Sequence, residues 1–208
     1  GGYSVEFGRT TGGVINAVTR SGTNEFEYGT EIAWEPSFLQ SSKRDHFDSA
    51  GNPYIIGSHD EYDRTNATVY ASGPIVQDKL FFFPLYEARN YTPDYTSDSD
   101  NTFYEAKSDD AFWGAKLDWQ INDRHLLEFL AFSDKNEETR DSFGFEYPAG
   151  TVGSFENTRF TNSGGLSWST TYTGYLTDSL SMKVLYGEND RDFSRFSNND
   201  VECSRVRD

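Results

Sequence analysis

The sequence predicts an all-β fold, an antiparallel meander of the kind found in a transmembrane β-barrel, here incomplete. Three observations predict it. Residues 25–35 and 111–121 alternate apolar and polar side chains with a period of two, the mark of strands with two unlike faces. Tight turns at 73–79, 122–124 and 177–179 alternate with long polar stretches at 36–64, 91–110, 135–157 and 188–208. Short turns at one rim and long loops at the other give this rhythm. Aromatic residues make up 16% of the chain, with Tyr and Phe dominant, and these fit a pleated surface better than a helix.

Residues 25–35 form the clearest strand. Phe26, Tyr28, Thr30, Ile32 and Trp34 fall on one face, and Glu25, Glu27, Gly29, Glu31, Ala33 and Glu35 on the other. A tilted strand needs about 9–11 residues to cross a bilayer, and this one has that length. Residues 64–72 repeat the pattern weakly, with Ala67, Val69 and Ala71 opposite Asn66, Thr68 and Tyr70. Gly73-Pro74 opens a turn, and residues 80–90 return. Pro84 inside that return predicts a bulge or an edge position. In 111–121, Trp113, Ala115, Leu117, Trp119 and Ile121 oppose Phe112, Gly114, Lys116, Asp118 and Gln120. Trp113 and Trp119 stand about 20 Å apart along such a strand, so one is interfacial and the other deeper. Asn122-Asp123-Arg124 turns the chain. Residues 125–134 blur the period, because Leu126, Leu127, Phe129, Leu130 and Phe132 occupy both faces; the pattern alone does not say which meet lipid. Residues 166–172 and 180–187 make the last pair, with Leu180, Met182, Val184 and Tyr186 on one face. About seven strands result, fewer than the eight that the smallest such barrel needs. Unpaired margins would be bare edges.

Composition narrows the classes. Mean hydropathy is -0.73, and no run of about 18 apolar residues exists, which excludes a membrane-spanning helix but not a barrel. A net charge of -16 excludes nucleic acid as a partner, since a phosphate backbone needs a basic surface. The acids concentrate in the long stretches: Asp94, Asp98, Asp100, Glu105, Asp109 and Asp110 face a single Lys107. Solvated loops and a surface for cations are the two readings. Asp98-Ser99-Asp100-Asn101 lacks the Gly and distal Glu of an EF-hand loop. His46, His59 and His125 are scattered, so neither metal nor cofactor is expected. Cys203 is alone and makes no internal disulfide. There is no Gly-x-Ser-x-Gly elbow and no His-Glu-x-x-His helix, and no carboxylate pair stands apart from the many others, so the chain is not expected to be an enzyme. It has no initiator Met and no signal peptide and is expected to be a window from a longer protein.

Residues before Glu25 read differently. Val5-Glu6-Phe7-Gly8-Arg9 is a short strand, Gly12-Gly13 allows close backbone approach or positive φ, and Val14-Ile15-Asn16-Ala17-Val18-Thr19 reads as a mostly buried strand. No Gly-Lys-Ser/Thr follows the glycines, so this is no phosphate loop. This string, carried on through Arg20-Ser21-Gly22-Thr23-Asn24-Glu25-Phe26, closely resembles the end of the plug domain in TonB-dependent outer-membrane receptors. It is most similar to their Oar-like branch, whose members often carry a carboxypeptidase-regulatory-like domain upstream. Ser72-Gly73-Pro74-Ile75-Val76-Gln77-Asp78-Lys79-Leu80-Phe81-Phe82-Phe83 resembles the turn and third barrel strand of that family. Ala111-Phe112-Trp113-Gly114-Ala115-Lys116-Leu117-Asp118-Trp119, with Asn122-Asp123-Arg124-His125, resembles the following hairpin. Pro84 departs from the small or polar residue expected there.

The resemblance implies a bacterial outer-membrane location. Residues 1–24 would be the C-terminal end of a plug, and 25–208 the first strands and loops of the barrel. The whole receptor would bind a ligand at its extracellular loops and move it through the plugged barrel, coupled to the inner-membrane TonB complex through a segment absent from this chain. The plug-to-barrel motif would comprise Gly12, Gly13, Asn16, Arg20, Ser21, Gly22 and Asn24. Arg9 and Arg20 would lie in a lumen lined by Glu25, Glu27 and Glu31 and pair with them, because an unpaired buried charge is costly. Tyr54, Tyr62, Tyr95, Tyr104 and Tyr147 are candidate ligand contacts, with loop-on-loop packing as the alternative. The ligand itself stays open. A competing reading is a soluble or cell-surface acidic β-module, carbohydrate-binding or adhesin-like, in which Phe26, Ile32, Trp34, Leu117 and Trp119 pack against a second sheet.

Overall fold

The computed structural model describes residues 20–199 apart from 42, 98–100 and 148. The strands read within residues 1–19, and with them Arg9, Gly12, Gly13 and Asn16, lie outside the described residues, as does Cys203. The chain is an all-β antiparallel structure. Its strands are β1 (Glu27–Glu35), β2 (His46–Phe47), β3 (Pro53–Ile55), β4 (Glu61–Val76), β5 (Leu80–Thr96), β6 (Thr102–Ser108), β7 (Phe112–Asn122), β8 (His125–Ser133), β9 (Asn136–Glu146), β10 (Thr151–Gly164), β11 (Leu166–Thr177), β12 (Leu180–Asn189) and β13 (Asp192–Ser197). All but β2 and β3 belong to one sheet; those two form a small hairpin.

The order of this sheet looks like a crossover, because β5 pairs with both β6 and β7. The registers show a plain meander instead. Trp113 of β7 lies opposite Ser133 of β8, and Ser108 of β6 lies opposite Glu138 of β9; stepping five residues along each chain connects the two pairs without a slip. The same holds between β8–β9 and β10–β11 (Ser133 with Leu166, Asn136 with Ser163). It holds again between β10–β11 and β12–β13 (Ser167 with Asn189, Gly164 with Asp192). Seven ladder positions therefore exist: β1, β4, β5, β6–β7, β8–β9, β10–β11 and β12–β13. They match the seven strands expected from the alternation; all but β1, which starts at Glu27 rather than Glu25, are longer than expected.

The long polar stretches are mostly not loops. Residues 91–110 hold the upper half of β5 and all of β6, and residues 135–157 hold β9 and the start of β10. They raise the same meander beyond the amphipathic segments. A transverse seam separates the two levels where four of the long strands break, at residues 109–111, 134–135, 165 and 190–191. Backbone groups freed at the seam find local partners. The Asp134 N–H donates to the Gly165 carbonyl at 3.2 Å and the Asp190 N–H to the Leu166 carbonyl at 3.1 Å, while the Gly165 N–H donates to Asp134 Oδ1 at 3.0 Å.

Pro84 sits neither at an edge nor in a register shift. It faces Ala115 inside the continuous β5–β7 ladder. The β4–β5 ladder keeps one register from Tyr70–Leu85 to Gly73–Phe82 but lacks pairs for Phe83 and Pro84. The missing N–H thus interrupts one ladder without moving the chain, because the other neighbour holds the strand in place.

The pairing also assigns faces throughout. Leu127, Phe129 and Ala131 of β8 lie opposite Trp119, Leu117 and Ala115, and Leu126, Glu128, Leu130 and Phe132 fall on the other side. One face of the lower level is an apolar band running through Tyr28, Ile32, Val69, Leu117, Phe129 and Val184. Its side chains are exposed: Trp113 by 40%, Leu117 by 39% and Trp119 by 46%. Between them Lys116 and Asp118 are exposed by only 9% and 7%. The sidedness of a water-soluble protein is inverted. The only cluster of buried apolar side chains among the described residues, Ile56, Phe103 and Phe145, sits in the upper level, with Phe143 and Tyr147 packed against it.

Gly165 tests the seam. A Cβ there would meet the Asp190 carbonyl oxygen, a backbone atom that cannot rotate away. Gly165→Ala is expected to lower unfolding stability by about 1–3 kcal/mol, read as an earlier midpoint in a urea titration. Gly144→Ala, whose Cβ would meet only the Glu156 carboxylate at 3.5 Å, is expected to change it by less than about 0.5 kcal/mol.

Candidate functional site

The face opposite the apolar band carries the charged side chains, and residues 20–24 lie against it as a strap. Four of the five strap residues make a defined contact with it. Arg20 reaches Glu27 of β1 at 3.0 Å, and its guanidinium lies 5.1 Å from the Tyr70 ring centroid and 5.7 Å from that of Phe83. Ser21 Oγ accepts a hydrogen bond from Lys116 Nζ at 2.8 Å. Gly22 passes so close to the wall that a Cβ would come within 2.6 Å of the Phe82 carbonyl oxygen; here glycine serves close approach rather than a turn. Asn24 clasps the β4–β5 turn, donating to Asp78 Oδ1 at 2.6 Å and accepting from the Asp78 N–H at 2.8 Å. Asp78 has φ of 61°, so the amide holds a residue in the left-handed region that Asp tolerates.

Of the carboxylates expected to meet the arginines, Glu27 has a guanidinium and Glu25 and Glu31 have none among the described residues. The wall has its own network as well. Lys116 Nζ lies 3.1 Å from Asp118 and 3.0 Å from Glu128, one cation shared between two carboxylates on adjacent strands. Glu87 accepts from Thr68 at 3.2 Å and pairs with Arg89. A small apolar hollow of about 280 Å³ interrupts these charges, lined by Phe83, Leu85, Phe112, Leu130 and Phe132 with Arg20 at its margin.

At the upper level, Tyr62, Tyr91 and Tyr95 of the strap side line a cleft of about 520 Å³ that also reaches Lys43, Asp60 and, from the opposite face, Glu61 and Asp94. The structure brings two of the five candidate tyrosines into it. Tyr62 donates to Glu35 at 3.0 Å and packs edge-on against Tyr91. Tyr95 packs at 5.2 Å on Tyr104, placing that third tyrosine beside the cleft. Tyr147 is elsewhere, against Phe47 and the apolar cluster. Tyr54 lies in β3, its side chain outside the described residues. Tyr91, Arg64 and Arg140 were not legible as site residues. Arg64 lies over Tyr62 and Tyr91, and Arg140 over Tyr95 and Tyr104. The usable signal was the unbroken alternation of β5 past residue 90, which puts Tyr91 and Tyr95 on the face of Phe83 and Leu85.

Carboxylates fasten the loop above. Asp45 accepts from the Gly57 and Ser58 N–H groups, both at 2.9 Å, and from Ser58 Oγ at 3.0 Å; the Ser58 amide above all holds its carboxyl below the usual range. Asp60 pairs with Lys43 at 3.0 Å and accepts from the Thr96 N–H at 3.0 Å. Asp94 is the opposite case. It lies directly across from Glu61 on β4 and Glu105 on β6, and Glu105 in turn lies across from Asp141 on β9. Burial, then Glu105, Glu61 and Asp63, pushes the Asp94 carboxyl up to about 6.

Comparison with curated proteins finds one stretch of 83 residues that is 42% identical to the TonB-dependent transporter Oar of Myxococcus xanthus. That stretch covers 40% of this chain and 8% of the transporter. No family model matches the chain, and no solved structure matches it.

Two expectations follow from the wall and the cleft. Lys116→Met removes the cation shared by Asp118 and Glu128 and is expected to cost about 3 kcal/mol. The triple variant that also carries Asp118→Asn and Glu128→Gln should recover part of this; chemical denaturation of the folded protein checks both. Asp94 gives a pH effect. Its folded carboxyl keeps a proton to higher pH than the ordinary value of 3.8. The folded state therefore binds more protons between about pH 4 and 6, and stability falls as pH rises through that window. Asp94→Asn is expected to slow amide exchange in residues 61–63 and 91–96 at neutral pH. The difference from the parent should vanish below about pH 4.

Proposed function

We propose that the chain is part of a TonB-dependent outer-membrane transporter. Residues 1–24 form the end of its plug and 25–208 the first strands and loops of its barrel. The apolar band faces lipid, the strap face looks into the lumen, the short turns lie at the periplasmic rim, and the upper level projects outside the cell. Ligand is captured at the upper level. The TonB complex of the inner membrane pulls on a segment ahead of the plug, and the plug rearranges to open a path. No covalent chemistry acts on the ligand.

The inverted sidedness carries this reading: Leu117 and Trp119 are exposed while Lys116 and Asp118 between them are nearly covered. Only a low-dielectric surround makes that order favourable, because lipid accepts the apolar face and the lateral ladder satisfies the backbone. A cell-surface β-module would need a second sheet over Phe26, Ile32, Trp34, Leu117 and Trp119. Among the described residues the large sheet has no such layer. The similarity to the Myxococcus xanthus transporter supports the class. The strap contacts support Arg20, Ser21, Gly22 and Asn24 as the plug-to-barrel joint, with Arg20–Glu27 as a plug-to-lumen ion pair. Tyr62, Tyr95 and Tyr104 are the ligand-facing tyrosines that the geometry favours.

Cell fractionation tests the assignment. The full-length protein should sediment with the outer membrane and need detergent for extraction. Leu117→Arg puts a charge into the lipid-facing band at a cost of about 2–4 kcal/mol near the midplane and should sharply reduce the membrane-inserted fraction. Ser169→Arg on the lumen side should leave it nearly unchanged. Full solubility without detergent, or equal effects of the two variants, would refute the reading.

A further inference from the structure

Above the seam the sheet largely separates charge by face, with Lys107 standing among the acids and Glu138 among the arginines. Positions on the side of the apolar band carry acids: Glu61, Asp94, Glu105 and Asp141 form one row across β4, β5, β6 and β9. Positions on the strap side carry arginines. Arg140 of β9 lies directly opposite Arg159 of β10. On the next strand, Arg195 lies opposite Thr161, one step along from Arg159 on the same face. Strands are about 4.8 Å apart, so three guanidinium-bearing positions fall within a patch about 10 Å wide.

Like charges directly opposite in an antiparallel pair repel. One carboxylate offsets part of this: Glu138 takes Arg140 at 2.6 Å. Arg140 is also seated on Tyr95 and Tyr104 at 5.6 Å from each ring centroid, which fixes its plane. Arg159 and Arg195 have no carboxylate within ion-pair distance among the described residues. Arg195 lies over the Phe193 ring, 5.5 Å from its centroid. In a chain of net charge -16, acids are plentiful, yet the ones at this level stand mainly on the far side of the sheet.

We infer that the strap-side face of β9, β10 and β13 is an oxyanion-binding surface, and that the ligand carries at least two carboxylate or phosphate groups. Guanidinium suits this role because its planar fork accepts two oxygens at once. Neighbouring arginines on adjacent strands then hold neighbouring anionic groups and relieve their own repulsion. The inference rests on the transporter reading, which makes this face the ligand-facing wall of the vestibule. It adds the ligand's charge, which the acidic composition by itself argues against.

Titration calorimetry on the full-length protein in detergent tests it, with citrate as the carboxylate probe, pyrophosphate as the phosphate probe and sucrose as the neutral comparison. At least one anion should bind where sucrose does not, and affinity should fall as salt is raised, since the attraction is screened. Which anion binds tighter identifies the oxygen group. Arg159→Gln and Arg195→Gln together should weaken binding by about tenfold or more, the scale of losing one charge-assisted hydrogen bond. Arg159→Lys, which keeps the charge, should lose less. Absence of binding by both anions, binding insensitive to salt, or equal affinity in parent and double glutamine variant would overturn the inference. Fractionation separates the two failures. An outer-membrane protein that ignores anions keeps the transporter reading and loses the oxyanion face. A soluble protein that binds them through these arginines does the reverse.

Discussion

The whole arrangement depends on a ladder of backbone hydrogen bonds that satisfies each strand sideways and leaves both faces of the sheet free to choose their surroundings. Once the backbone has its partners, the period of two decides everything else. In β7 it sends Trp113, Leu117 and Trp119 one way and Lys116 and Asp118 the other. A one-residue slip would exchange the two sets and put Lys116 in the apolar band. The unbroken register across the seam shows how strongly this is enforced. Four long strands break at one level, and none of them changes partner or phase there. Pro84 obeys the same rule: it forfeits one ladder while the other keeps it in phase.

What the sequence disclosed follows from which positions carried contrast. β1 and β7 set aromatic and aliphatic side chains against Glu, Lys and Asp, so their faces could be read directly. β8 could not be read, because Leu126 and Leu130 line the strap side beside Glu128, where the wall forms its apolar hollow; only its partner in β7 assigns it. The upper strands were mistaken for loops for a different reason. β6 and β9 carry polar residues on both faces, Glu105 and Lys107 on one, Ser108 and Arg140 on the other, so no hydrophobic period survives there. Their strand character comes from pairing with neighbours. Of the site, Arg20, Ser21, Gly22 and Asn24 were legible as a motif but not as contacts. Arg140, Arg159 and Arg195 were invisible, because only register brings residues so far apart in sequence onto one face.

The strap and the wall differ in strength, and the difference suits the proposed reading of the strap as the end of a plug. Arg20 and Glu27 are both about half exposed, and such a pair contributes roughly 0–1 kcal/mol. The Ser21 and Asn24 hydrogen bonds add modest increments, each about 1 kcal/mol. The Lys116 network is nearly covered, at 10% side-chain exposure for both Lys116 and Asp118, and its ion pairs all lie within the wall. Weak contacts thus join strap to wall, while strong ones hold the wall together. Force applied along the strap would break the joint before the sheet.

Lys116 links the two systems. It pairs with Asp118 and Glu128 on the wall and also donates a hydrogen bond to Ser21. An ammonium has three protons to donate and can trade a serine hydroxyl for water at little cost. Release of the strap would therefore leave no buried charge unpaired. Had the strap supplied a carboxylate to Lys116 instead, its departure would strand a cation and oppose the motion by several kcal/mol. The choice of serine at this point keeps the joint specific in position and cheap to open, which suits the proposed role of the strap as the end of a plug.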